Sequence, residues 1–279
     1  MSIIETMKER ISCRTYSDRP IEPDKTETLK TFLKANTQSP FGSEIRFHLL
    51  DFTEPGMSET RIRGTYGVIK GARQFMAGAV RNRPKAMEDY GYCMEKNILT
   101  ATSLGLGTCW LGGTFNRTGF AEKIKLADGE LLPAVSPVGY SSDRRSLVDR
   151  FFRFSAGSDK RKSWHELFFD SNINNPLQKE SAAPYETALD CLRIGPSASN
   201  MQPWRIIKNK NMLHFYLKRT PGYNSVFGDI KLQNMDMGIA MCHFELSSAV
   251  LGLPGNWQVN DPRIQVDGME YIASWVSEA

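Results

Sequence analysis

A chain of 279 residues is long enough to bury one large core or two smaller ones. Its 35 Lys and Arg stand against 31 Asp and Glu, a formal charge of +4 spread without a basic block, which gives no footing for nucleic acid. The longest apolar runs, such as Phe75 to Val80, fall far short of a bilayer span, and Met1-Ser2-Ile3-Ile4-Glu5 does not open a signal peptide. The sequence therefore implies a soluble, cytoplasmic protein with no membrane partner.

In chain order, the pattern predicts a short helix from Ile3 to Ile11, a helix from Asp24 to Ala35, a loop from Asn36 to Ser43 and a strand from Ile45 to Phe52. A long apolar helix through Gly91 to Leu104 follows, stopped by Gly105, then a turn bearing Trp110 and a strand from Ala134 to Val138. Asp143 to Ser181, rich in Arg, Lys, Asp, Ser and Asn, reads as a long connection. A helix from Pro184 to Ile194, a loop from Gly195 to Gln202 and a strand from Trp204 to Lys208 come next, then a second long apolar helix through Gly238 to Leu251 and a terminal strand from Ile272 to Val276.

Five cysteines, Cys13, Cys93, Cys109, Cys191 and Cys242, show no Cys-x-x-Cys spacing, which predicts neither a disulfide framework nor a zinc site. His48, His165, His214 and His243 are scattered and read as structural or surface residues. No metal site and no catalytic side-chain set is expected.

Two segments carry chemistry. At the end of the first helix, Arg10, Ser12 and Arg14 place two guanidinium forks and a hydroxyl close together, a set suited to a terminal phosphate. The loop Pro196-Ser197-Ala198-Ser199-Asn200, ahead of Gln202-Pro203-Trp204, combines fixed backbone torsions with short donors and acceptors, as a ligand-cradling loop does. Taken alone, it reads first as a Ser/Asn-capped turn between helix and strand, and only the other segments tip it toward a ligand loop. Gly105-x-Gly107 follows a helix, not a strand, so it is no dinucleotide fingerprint.

The halves of the chain echo each other. Gly91 to Trp110 aligns without gaps on Gly238 to Trp257, with Gly91, Met94, Leu99, Leu104, Gly105, Leu106 and Trp110 meeting identical partners. The preceding helix, loop and strand repeat in the same order, which implies two versions of one fold in a single chain.

Together, Arg10-x-Ser12-x-Arg14, the Pro196 to Trp204 loop and Gly105 to Gly113 resemble the nitroreductase family of flavoproteins. The resemblance implies an α+β fold of two similar half-domains, each a small, mainly antiparallel sheet flanked by helices. Residues 1–160 would be the first half and residues 161–279 a second, degenerate half. Family members are typically homodimers that build one flavin pocket from the Arg-Ser-Arg end of one subunit and the Pro-Ser-x-x-Asn loop of the other. Here the first half keeps Arg10, Ser12 and Arg14 but has Thr37-Gln38-Ser39-Pro40-Phe41 in place of the loop. The second half keeps the loop but has Lys179-Glu180-Ser181-Ala182-Ala183 in place of the arginines. A fused pseudo-dimer, a monomer with one surviving flavin site, explains these complementary losses.

The resemblance further implies FMN as cofactor, its phosphate on Arg10, Ser12 and Arg14, with Arg144 and Arg145 as further cations or, equally, as a solvated surface pair. Leu111, Gly112 and Gly113 match the turn whose backbone approaches flavin N5; several relatives carry an acid at the first glycine. Pro196, Ser197, Ala198, Ser199 and Asn200 would line the ribityl chain and ring. The implied activity is ping-pong hydride transfer from NADH or NADPH to a small electron-poor acceptor such as a nitroaromatic or a quinone. A flavin carrier or regulatory protein without turnover, or a scaffold that binds no flavin, are the alternatives of other classes.

Overall fold

In the computed structural model, which describes residues 1–53, 67–142, 160–223 and 229–278, the chain divides into two compact units, Met1–Ala156 and Gly157–Ala279. The first unit begins with α1 (Ile3–Glu9), started by a capping box in which Ser2 and Glu5 exchange side-chain and backbone bonds. It continues through α2 (Pro23–Ala35), β1 (Ile45–Asp51), β2 (Gln74–Arg81), α3 (Ala86–Ser103), β3 (Gly107–Thr108), α4 (Arg117–Lys123), β4 (Glu130–Leu131) and β5 (Val135–Gly139). Proline at the start of α2 suits the helix entry, where its missing N–H goes unused.

The second unit holds α5 (Trp164–Leu167), β6 (Phe168–Asp170), α6 (Glu186–Arg193), β7 (Trp204–Asn209), β8 (Met212–Lys218), α7 (Leu232–Val250), β9 (Gly255–Gln258) and β10 (Met269–Ser277). The sheet of the first unit runs β1-β2-β5-β3, with β4 also on β2; that of the second runs β6-β7-β8-β10-β9. Once β4 and β6 are set aside, the two orders are the same. All pairings are antiparallel except β6 with β7. The repeat read in the sequence is thus a repeat of topology.

Both long helices stop in the same way. Gly105 N donates to Thr102 O and Leu106 N to Ala101 O; Gly252 N donates to Ala249 O and Leu253 N to Ser248 O. Gly105 and Gly252 take φ of +77° and +70°, the left-handed turn of a Schellman stop, which explains why glycine stands at both. The sequence made these helices apolar nearly all round, whereas α3 buries Glu88, Asp89, Glu95 and Asn97 and α7 buries Gln233, Asn234, Asp236 and His243. Several of these polar groups hold the loops described below.

The expected connection from Asp143 to Ser181 is only partly such. Residues 143–159 lie outside the described residues, but Trp164, Leu167, Phe168 and Leu177 are buried and build α5 and β6 into the second unit. Their apolar spacing was hidden among polar neighbours. All five cysteines are buried and none forms a disulfide. No helix among the described residues is long and apolar enough to cross a membrane.

Candidate functional site

The Arg10 to Arg14 segment leaves α1 as extended chain and is clasped from two sides. Cys13 N donates to Thr108 O at 2.7 Å and Lys70 N donates to Arg14 O at 2.9 Å, while Tyr16 N donates back to Lys70 O at 2.9 Å. In extended backbone alternate residues share a face, so Ser12 and Arg14 lie half-exposed on one side and Cys13 is buried on the other. Two glycines admit this strand. A Cβ at Gly107 would stand 2.8 Å from Cys13 Cβ, and one at Gly71, where φ is +75°, would stand 2.4 Å from Tyr16 O. The backbone therefore fixes the arginine pair.

Arg10 itself is 7% exposed in its side chain, and its Nε has no hydrogen-bond partner among the described residues. A buried guanidinium N–H without an acceptor is costly unless an anion completes it, so this corner fits the phosphate of a cofactor such as FMN. Nearby, Nε lies 4.0 Å from a carboxylate oxygen of Glu95, which is fully buried and accepts from Trp110 Nε1 at 2.7 Å. Trp110 leads directly into Leu111, Gly112 and Gly113. Leu111 exchanges backbone bonds with Val135, and Arg117 holds the turn by donating Nη2 to Gly112 O at 2.7 Å and Nε to Leu132 O at 2.9 Å. The first unit thus brings Arg10, Ser12, Arg14 and the Leu111-Gly112-Gly113 turn into one neighbourhood. Arg144 and Arg145 lie outside the described residues.

In the second unit, Pro196 to Asn200 form a tight turn with a short 3-10 stretch at Ala198–Asn200. Ser199, Asn200 and Gln202 all take positive φ, at +49°, +53° and +47°. Left-handed backbone at non-glycine residues is unfavourable, and three cases within four residues persist only because surrounding bonds impose them. Ser197 Oγ accepts from Gln202 N, and Gln202 donates Nε2 to Asn200 O. Arg161 donates Nη1 to Gly195 O and to Asn200 Oδ1, and Nη2 to Ile194 O, each at 2.9 Å; Asn200 Nδ2 donates to Lys160 O at 2.8 Å. Ser199 Oγ meets Tyr223 OH at 3.0 Å. Asn200, read from sequence as a ligand contact, thus has both ends of its amide engaged by the Lys160–Arg161 segment.

Asp236, on α7, accepts from Ala198 N at 2.9 Å through Oδ1, while Oδ2 is buried with no hydrogen-bond partner among the described residues. Burial pushes its carboxyl up to about 8, the Ala198 bond pulling the other way. Its counterpart 147 residues earlier is Asp89, whose two oxygens accept from Phe41 N at 2.8 Å and Ser43 N at 3.0 Å. The two carboxylates hold the loops before β1 and β7, yet the loop of the first unit uses positive φ only at Gly42. A crevice of 640 Å³ opens there, lined by residues 37–39 and 42–45; its one charged residue is Glu44, so it offers no phosphate chemistry.

Sequence reasoning missed Glu95, Arg161 and Asp236. Asp236 was within reach, because extending the repeat two residues upstream of Gly91 and Gly238 pairs Asp89 with Asp236. Arg161 was not, because its partners are carbonyls and no sequence pattern marks them.

Residues 2–248 match the protein family described as "Putative TM nitroreductase". Among solved structures, a "putative nitroreductase" from Thermotoga maritima is similar with a TM-score of 0.63 at 16% identity, over 99% of this chain and 94% of that one. A nitroreductase family protein from Clostridium difficile 630 is similar with a TM-score of 0.43 at 22% identity, over 55% of this chain and 92% of its own. A nitroreductase with bound FMN from Desulfitobacterium hafniense is similar with a TM-score of 0.40 at 16% identity, over 52% of this chain and 92% of its own. No curated protein matches.

Proposed function

The chain belongs to this TM nitroreductase family, and we propose that it is an FMN-dependent oxidoreductase passing electrons from NADH or NADPH to a small electron-poor acceptor, such as a nitroaromatic or a quinone, in a ping-pong cycle. The observation that carries the reading is the buried Arg10 Nε–H, which has no acceptor among the described residues, beside a Ser12 to Arg14 strand whose backbone is fixed by Thr108 and Lys70. FMN, when bound, supplies hydride acceptance at its ring nitrogen and electron delivery to the acceptor.

The residues bind and orient. Arg10 and Arg14 offer charge-assisted donors to the phosphate, and the Ser12 hydroxyl, on the face of Arg14, adds a neutral one. Gly112 and Gly113 present main chain without side chains, and Arg117 keeps that turn from rotating. In the second unit the strained Pro196 to Asn200 loop is the surface proposed for the ribityl chain and ring, its shape set by Arg161 and Asp236. Arg144 and Arg145 remain candidates for the phosphate.

Anaerobic titration of the purified protein with NADPH and NADH, followed at the flavin absorbance bands, tests the reading. Bleaching by either nucleotide is expected. Flavin that neither nucleotide bleaches would make the protein a flavin carrier or regulator, and a protein that takes up no FMN refutes the proposal. At residue level, Arg10→Ala should weaken FMN by about 1.5–3 kcal/mol, roughly tenfold to a hundredfold, and leave riboflavin binding nearly unchanged. Equal losses for the two ligands would remove Arg10 from the phosphate site.

A further inference from the structure

Glu95 and Glu245 both serve a tryptophan, but not from equivalent places. Trp110 and Trp257 stand 147 residues apart in the repeat, and each donates its indole N–H to a helix carboxylate, at 2.7 and 2.6 Å. The counterpart of Glu95 is Cys242, and the counterpart of Glu245 is Ile98, one helical turn further along. Binding the indole therefore does not require an acid at the position of Glu95. What that position adds is proximity to Arg10, whose Nε lies 4.0 Å from the second carboxylate oxygen. In the second unit the segment ahead of α6, Lys179-Glu180-Ser181-Ala182-Ala183, contains no arginine, and the acid sits a turn away. The acid occupies the inner position in the unit that keeps Arg10.

At 4.0 Å the pair is an ion pair without a hydrogen bond, so it balances the charge of Arg10 and leaves Nε–H available. We propose that Glu95 is a built-in counter-charge that keeps Arg10 buried and compensated before an anion arrives, and thereby limits how tightly the site holds a phosphate group. The phosphate named here rests on the FMN reading; the charge balance does not. With a carboxylate this close, a bound phosphate meets attraction from Arg10 and repulsion from Glu95. Removing the carboxylate's charge should destabilise the empty site and tighten the filled one.

Glu95→Gln retains an acceptor for the Trp110 indole and removes the charge. In flavin-free protein it should lower the melting temperature, and inorganic phosphate should raise that temperature more than in wild type. FMN should bind roughly tenfold tighter, as expected for one unit charge removed a few ångströms from a dianion, while riboflavin binding stays as it was. Adding Arg10→Gln to Glu95→Gln should recover stability, because neither charge is then stranded.

Parallel changes for FMN and riboflavin, weaker FMN binding, or equal phosphate stabilisation of wild type and variant would overturn the proposal. If Glu95→Gln is too unstable to purify, a double variant that folds supports charge compensation, and a double variant that also fails overturns it. Should the wild-type protein bind no flavin, the FMN reading falls while the melting and phosphate measurements still decide the role of Glu95.

Discussion

Asp236 provides a pH-dependent test of how the Pro196 to Asn200 loop is held. Its carboxyl is 3% exposed, has one backbone N–H on Oδ1, and is raised by burial from 3.8 to about 8. Between these values the folded chain holds a proton that the unfolded chain has released. The stability owed to the neutral form is therefore fully present below about pH 4 and is lost as pH rises through about 8. Each pH unit across that window corresponds to about 1.4 kcal/mol, so the full difference is on the order of 5 kcal/mol as an upper bound. Local opening of the loop, which lets water reach Oδ2, would relieve part of it. Among the described residues, the Tyr223 hydroxyl, itself raised mainly by burial, and the Ala198 amide act on this carboxyl.

The perturbation is Asp236→Asn, which keeps an acceptor for Ala198 N and cannot ionise. Melting temperatures of wild type and variant should be compared from pH 5 to pH 9, since their difference cancels titrations elsewhere in the chain. The difference should be small at pH 5 and grow in favour of the variant as pH rises. At about 2–4 °C per kcal/mol, it should reach on the order of 10 °C. A difference that does not change with pH, or one that falls as pH rises, would show that Asp236 is ionised in the folded protein and would refute the reasoning.

Four further substitutions probe the frame around the site. Gly71→Ala should displace the Arg10 to Arg14 strand, since the new Cβ would meet Tyr16 O at 2.4 Å in a left-handed backbone, and FMN affinity should fall with stability in a calorimetric titration. Arg161→Ala removes the donors to Ile194 O, Gly195 O and Asn200 Oδ1 and should cost about 1–3 kcal/mol in denaturant unfolding. Trp110→Phe should destabilise more than Trp257→Phe, because it deprives the fully buried Glu95 of a donor whereas Glu245 is half-buried and can turn to water.

The sequence revealed most of the frame because glycine and apolar periodicity are local signals. Gly105 and Gly252 marked both helix stops, and the repeated helix, loop and strand order anticipated two sheets of matching topology. The Arg10, Ser12 and Arg14 group was legible as a set, but its geometry was not: α1 ends at Glu9, and Thr108 and Lys70, far along the chain, decide which way the side chains face. Asn200 shows the limit of motif reading. The same amide that suits a ligand also satisfies Arg161 and Lys160, and only the fold shows that it does so. Buried acids were the least legible, because an apolar helix hides them until their partners from other elements are known.

Comparing the two copies separates framework from ligand chemistry in this chain. Asp89 and Asp236 both hold a loop, and Trp110 and Trp257 both bind a helix acid, so these features serve the fold with or without a cofactor. Three features do not repeat: the arginine pair, the inner position of Glu95, and the strained backbone at Ser199, Asn200 and Gln202. Each has an unfavourable element, a buried charge or a disfavoured torsion, that folding alone does not require. Features that raise the energy of one copy while its twin folds without them are where a ligand's contribution should be sought. On that argument the corner at Arg10, proposed for phosphate, and the loop at Asn200 outrank the crevice beside Thr37, which is roomy but unstrained.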